Sequence, residues 1–217
     1  MASEVELSCN ASLRVCNKIM DDAFPRVGWT PEWQQVDATD LLLRAQQGDT
    51  DAFGQIYELY APLVFRFCYA HLDNRLDAED LTEEVFLRAW QALPGYQLRG
   101  VPFTGFLFRI ARNALYDHYR RWRKRANDPG LEQDLVDDTQ PDPAVSVTLN
   151  LERRELRRTL AQLRQDYRTV LVLRFLVGLS PEETAQAMER SAGAIRVLQH
   201  RALRAARKLL AKQESGT

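Results

Sequence analysis

Residues 179–210 read LSPEETAQAMERSAGAIRVLQHRALRAARKLL, and their spacing decides the fold class. Ser180 precedes Pro181, Glu182 and Glu183: a cap, a first helical position that needs no amide hydrogen, and carboxylates against the positive end of a helix dipole. Ser191 provides a second cap. The pattern predicts two helices joined by a turn over Glu189 to Ala192, which is helix-turn-helix geometry. On the second helix Ile195, Leu198, Ala202, Ala205 and Leu209 recur at three and four and predict the buried stripe. Nearly opposite, within about 80° of arc on a helix of 3.6 residues per turn, lie Gly193, Arg196, His200, Arg204 and Arg207. A helix packed on one side and basic on the other fits a DNA major groove. The plainer alternative is a surface helix with solvated arginines. His200 reads as a phosphate or base contact, since no second metal ligand lies nearby.

Upstream, residues 151–176 carry Leu156, Leu160, Leu163, Val170, Leu171, Leu173 and Phe175 as core candidates, ending at Gly178. Before them, NDPGLEQDLVDDTQPDPA (127–144) has three prolines, no basic residue and few apolar ones, a composition that cannot offset its ordering entropy. It reads as a flexible acidic linker. Residues 103–125, FTGFLFRIARNALYDHYRRWRKR, place Arg109, Arg112, Tyr116 and Tyr119 on one stripe beside Phe108 and then run into Arg120, Arg121, Arg123, Lys124 and Arg125. Interleaved cations and rings suit a surface that tracks phosphates and stacks exposed bases. An aromatic core stripe with snorkelling arginines is the competing reading, and the terminal run is too charged to be buried.

Residues 77–93, DAEDLTEEVFLRAWQAL, predict a helix capped by Asp77, with Leu81, Val85, Phe86, Ala89, Trp90 and Leu93 inward and Asp80, Glu83, Glu84 and Arg88 outward. That outer face is either solvated or a docking face for a basic partner. Earlier still, Gly48 predicts the end of a short helix, and Asp49 or Thr50 caps a longer one bearing Phe53, Ile56, Tyr57 and Tyr60 on one face, with a bend or restart expected at Pro62. The fold class is therefore all-α: two small helical domains, residues 38–126 and 151–212, joined by the acidic linker 127–150. Residues 1–37 form an unpatterned extension and 213–217 a tail.

The 29 basic and 30 acidic side chains leave a net charge of −1 on 217 residues, which taken as a sum disfavours a polyanion partner. Segment by segment the charge is −3 over 1–37, −6 over 38–95, +7 over 96–126, −7 over 127–152 and +8 over 153–217. Near-neutrality is a cancellation, and the two basic segments are candidate nucleic-acid surfaces. The cancellation further implies that the free chain masks its basic faces with its acidic ones. Cys9, Cys16 and Cys68 make an odd set without metal-ligand spacing, so neither a disulfide framework nor a metal is expected. Cys68, among Phe65, Phe67 and Tyr69, reads as a buried apolar thiol. No apolar run approaches the roughly 18 residues that span a bilayer, and the N-terminus lacks a secretory pattern, so a cytoplasmic protein without membrane insertion is expected.

Five motifs in order, GDTDAFGQIYELY, DAEDLTEEVFLRAW, FLFRIARNALYDHYRR, LSPEETAQAM and SAGAIRVLQHRAL, resemble bacterial RNA polymerase sigma factors of the sigma-70 family, extracytoplasmic-function (ECF) group. The resemblance implies a non-enzymatic subunit without cofactors that binds core RNA polymerase through its beta and beta-prime subunits. It places Asp77, Asp80, Glu83, Glu84 and Arg88 at the core-polymerase face. Arg109, Arg112, Asn113, Tyr116, Tyr119, Arg120 and Arg121 fall at the minus-ten element, where the melted non-template strand is held. Arg190, Ser191, Gly193, Arg196, Gln199, His200, Arg204 and Arg207 fall at the minus-thirty-five duplex. Glu83 stands where Gln is usual, and Phe106 where Trp is usual. An anti-sigma factor is a further implied partner. From other classes, a stand-alone helix-turn-helix repressor and a helical protein-interaction module fit parts of the same sequence.

Overall fold

In the computed structural model, residues 38–72, 74–97, 102–126 and 158–214 are described, and they carry helices and turns with no strand among them. The N-terminal extension, the acidic linker, Cys9, Cys16 and Leu156 lie outside the described residues. Helix α1 (Thr39–Gln46) ends where Gly48 takes φ +92°, a conformation open to glycine at no steric cost. Asp49 then caps α2 (Thr50–Leu72), its Oδ1 accepting from the amides of Asp51 and Ala52 at 3.0 Å each. Pro62 does not restart the helix. Leu63, Val64 and Phe67, buried just beyond it, hold the chain on its helical course across the missing hydrogen bond.

Helix α3 (Arg75–Ala92) begins three residues before the start expected from an Asp77 cap. Asn74 is the cap, accepting from the Asp77 amide at 3.2 Å, so Asp77 lies within the first turn instead of capping it. A short 3-10 turn, Leu93–Gly95, leads toward α4 (Phe103–Ala126). Ile56, Leu63, Phe67, Leu81, Leu93, Leu107, Phe108 and Leu115 fill the centre of this first bundle. Tyr60, Tyr96, Phe103 and Phe106 form an aromatic cluster at one end, with ring centroids 4.8–5.8 Å apart.

The second bundle contains helical residues 158–162, then α5 (Gln165–Leu171), which continues as a π-helical turn, Val172–Val177, and stops at Gly178 with φ +86°. Helix α6 (Pro181–Met188) opens on a capping box: Ser180 Oγ accepts from the Glu183 amide at 3.0 Å, and Glu183 accepts from the Ser180 amide at 2.7 Å. Ser191 caps α7 (Ala192–Glu214), its Oγ accepting from the Ala194 amide at 3.2 Å. Leu160, Leu163, Leu173, Leu179, Ile195 and Ala202 are buried between these helices, and Phe175 is half-buried. The two bundles do not stand apart. Helix α4 packs along α6, α2 packs on the π-helical turn, and the buried apolar residues of both bundles form one cluster.

Candidate nucleic-acid interface

Helix α7 is divided as its spacing predicts. Ile195 and Ala202 are buried and Leu198, Ala205 and Leu209 half-buried, while Gly193, Arg196, His200, Arg204 and Arg207 are exposed. Arg201 and Lys208 are exposed too, and widen the basic face beyond the arc read from the sequence. Arg196 lies 3.6 Å from the Glu182 carboxylate, with both side chains more than half exposed, so that pair leaves it free to reorient. Ser191 is exposed, and Arg190 pairs with Asp166 at 2.7 Å. Gln199 turns the other way: half-buried, it accepts from Arg174 Nε at 3.2 Å.

Helix α4 divides less simply. Phe106, Leu107, Phe108, Ala111, Ala114 and Leu115 face the core, and Arg109, Asn113, Arg120, Arg121, Arg123 and Lys124 are exposed. Arg109 sits over the Phe106 ring, 6.0 Å from its centroid. Arg112 and Tyr119, on the predicted stripe, are drawn into the structure. Tyr119 donates its hydroxyl hydrogen to the His71 carbonyl at 2.7 Å. Arg112 is buried, lies 5.6 Å from the Tyr116 ring centroid, and donates to the Glu189 carboxylate across the bundle interface. A crevice of about 390 Å³ opens there, lined by Arg112, Tyr116, Asp166, Met188, Glu189 and Arg190.

On α3 the outward residues fall into two groups. Asp80 and Glu83 are exposed, flanked at helical spacing by Leu76 and Leu87, whose exposures of 59% and 58% are unusual for leucine. Both leucines interrupt the charged face and so are absent from the outward set read above; their four-residue spacing from Asp80 and Glu83 was the available signal. Asp77, Glu84 and Arg88 are half-buried. Glu84 accepts from Arg88 at 2.6 Å and from Arg121 at 2.9 Å, and Arg88 donates to Asp117 at 2.8 Å, tying α3 to α4. Asp117 also accepts from Arg120. Burial pushes the Glu84 carboxyl up, but the guanidiniums of Arg121 and Arg88 outweigh it and hold it below the usual range. The Arg88 hydrogen bond likewise lowers Asp117.

Cys68 is buried against Thr82, and burial pushes its thiol up to about 12, which leaves it unreactive near neutral pH. Among the described residues no group of three His, Cys, Asp or Glu side chains is placed to hold a metal, and no helix is long and apolar enough to cross a membrane.

Residues 56–126 match the family model of Sigma-70 region 2, and residues 153–205 that of Sigma-70, region 4. The chain is 37% identical over 171 residues to the ECF RNA polymerase sigma factor BldN of Streptomyces coelicolor, covering 79% of this chain and 65% of BldN, just under two thirds of that relative. With the ECF RNA polymerase sigma factor ShbA of Streptomyces griseus it shares 35% identity, covering 75% of this chain and 90% of ShbA. Among solved structures it is similar to the sigma factor RpoE in complex with the anti-sigma factor NepR from Bartonella quintana. The TM-score is 0.60 and the identity 26%, over 73% of this chain and 96% of RpoE.

Proposed function

Because this chain belongs to the sigma-70 family, in its ECF group, we propose that it directs core RNA polymerase to a bipartite promoter and traps the strand that separates there. The observation that carries the reading is the division of α7, buried at Ile195 and Ala202 and exposed at Arg196, His200, Arg204 and Arg207. Such a helix presents cations to duplex phosphates and its N-terminal side chains to base edges. It reads the upstream, minus-thirty-five element. Arg109 and Asn113 with the basic end of α4 take the minus-ten region, and Arg112 and Tyr116 join them at the unpaired non-template strand. Asp80 and Glu83, framed by Leu76 and Leu87, dock on a basic, partly apolar surface of the beta-prime subunit, with beta contacting the rest of the chain.

Two domains, 38–126 and 151–212, joined by the linker 127–150 make this economical, since each alone binds weakly and salt-sensitively while linkage makes the second contact intramolecular. Initiation then needs no covalent step from this chain, only binding and strand capture. A partner of the anti-sigma type, as NepR is to RpoE, fits the same surfaces and would withhold them from polymerase.

Run-off transcription with purified core polymerase on genomic fragments tests the reading. The expected result is initiation at discrete sites that depends on this chain. No specific initiation, together with tight binding of a palindromic duplex by the chain alone, would instead establish a stand-alone repressor.

A further inference from the structure

Val197 is out of keeping with its surroundings. Among the described residues of the second bundle it is the one large apolar side chain that is exposed, at 51%, while the other valines, leucines, isoleucines and phenylalanines there are buried or half-buried. At about 100° per residue it falls nearly opposite the buried Ile195, in the middle of the outer face of α7. Arg196, His200 and Arg201 stand around it and Arg204 lies two turns on, all exposed. Local propensity does not favour a valine there, because a branched side chain loses rotamer freedom against the preceding helical turn.

Gly193, one turn before Val197 on the same face, is a second exception. It keeps an ordinary helical backbone, and a Cβ built on it would meet nothing within 4 Å. Neither a turn nor close packing inside the chain therefore calls for a glycine, which weakens a helix relative to alanine. The space it leaves open lies outside the bundle, beside the exposed valine. The outer face of α7 thus begins low and uncharged along its midline, at Gly193 and Val197, and turns cationic at Arg201, Arg204 and Lys208.

The order suits a helix that enters a groove by its N-terminal end, where side chains reach base edges and later ones reach phosphates. In the major groove the base edges present hydrogen-bonding groups and one apolar group, the C5 methyl of thymine. A valine brought against an amino or carbonyl group of a base would strip its water and return no hydrogen bond. Against the methyl it buries apolar surface on both sides.

We propose that Val197 is a specificity-determining residue of α7, which selects thymine in the upstream element by contact with its C5 methyl group. Gly193 leaves the room for that approach, and the surrounding cations hold the flanking phosphates. The assignment rests on the reading of α7 as the duplex-reading helix. It deepens that reading by naming a chemical group on one base, where the arginines alone would give charge attraction with little preference.

The test uses the full chain bound to core polymerase and a promoter duplex from a genomic fragment that it initiates. Each thymine of the footprinted upstream element is replaced in turn by deoxyuridine, which lacks only the methyl group. At least one replacement is expected to weaken binding by the parent about fourfold, the worth of one buried methyl-sized group. The same replacement should change binding by Val197→Ala less than about twofold. Gly193→Leu fills the open space with a better helix former, so its urea midpoint should match or exceed the parent's while its binding of the unmodified duplex falls by about tenfold. A parent indifferent to every replacement, a Val197→Ala chain as sensitive as the parent, or undiminished binding by Gly193→Leu would each overturn the assignment and leave the sigma reading standing on its initiation. If the parent initiates from no fragment, the sigma reading fails, and this assignment with it.

Discussion

His71 shows how much of this molecule is decided by one ring. It is buried on α2, where Nδ1–H donates to the Phe67 carbonyl at 2.8 Å and Nε2 accepts from Thr169 Oγ1, 3.3 Å away in the other bundle. That pattern uses both nitrogens of a neutral imidazole, and a second proton would put a charge where water does not reach. Burial, and then the nearby Arg168 guanidinium, push its pKa from 6.5 down to about 3. The unfolded chain therefore binds a proton in a range where the folded chain does not. The stability this contributes is complete above pH 6.5 and is lost progressively toward pH 3, at a slope approaching about 1.4 kcal/mol per pH unit. Urea unfolding at pH 7.5 and 5.5 should show a loss of about 1.4 kcal/mol in the parent and less than half of that in His71→Gln. An equal loss in both would place the acid sensitivity elsewhere. At this scale the sequence was legible where a residue's role depends on its own helix, as for the Ser180 and Ser191 caps. It was not legible for Arg112 or Tyr119. Helical periodicity put them on the right face, but their partners, Glu189 and the His71 carbonyl, are 77 and 48 residues away.

Between elements, the ion network joining α3 to α4 separates two kinds of acid that look alike in the sequence. Asp80 and Glu83 are exposed between Leu76 and Leu87, whereas Glu84 accepts from both Arg88 and Arg121. Removing Glu84 strands two guanidiniums that hold α4 against α3, and because its side chain is 28% exposed the cost is modest. Glu84→Ala should lower unfolding stability by about 1 kcal/mol, read as a shift in the urea midpoint. Asp80→Lys should leave that midpoint within about 0.5 kcal/mol of the parent while abolishing capture of core polymerase in a pull-down. A stability loss in Asp80→Lys as large as that in Glu84→Ala would mean that the outer face is structural. The helix existed in the sequence pattern, but its start did not follow from it. Asn74 and Asp77 stand three apart and both are good caps; the chain uses the earlier one because the Asp77 amide reaches the Asn74 side chain. Pro62 misled for a related reason: local chemistry predicts a break, and packing of Leu63, Val64 and Phe67 overrides it.

For the whole molecule, the segment charges foretold two basic surfaces but not that one arginine of the first, Arg112, would be covered by the other bundle. Charge counts have no geometry, and the acids that meet α4, Glu183 and Glu189, sit in a segment of net charge +8. The basic face of α7 lies away from that contact, so the two surfaces can be tested independently. Each phosphate neutralised on duplex DNA releases condensed counterions, which makes the logarithm of affinity fall with the logarithm of salt by about 0.9 per contact. Arg196 and Arg204 are exposed on the face opposite Ile195 and Ala202, so neither truncation leaves a buried group unpaired. Arg196→Ala and Arg204→Ala should each weaken binding of the upstream duplex by the polymerase-bound chain and reduce its salt slope by about 1. Gln199→Ala, whose side chain is turned toward Arg174, should leave that slope unchanged because no cation is removed. Fluorescence anisotropy over a salt series distinguishes these cases. Unchanged slopes for both arginine variants would return α7 to an ordinary solvated helix, and a loss of affinity at unchanged slope for Gln199→Ala would mean that its side chain leaves Arg174 when DNA is bound.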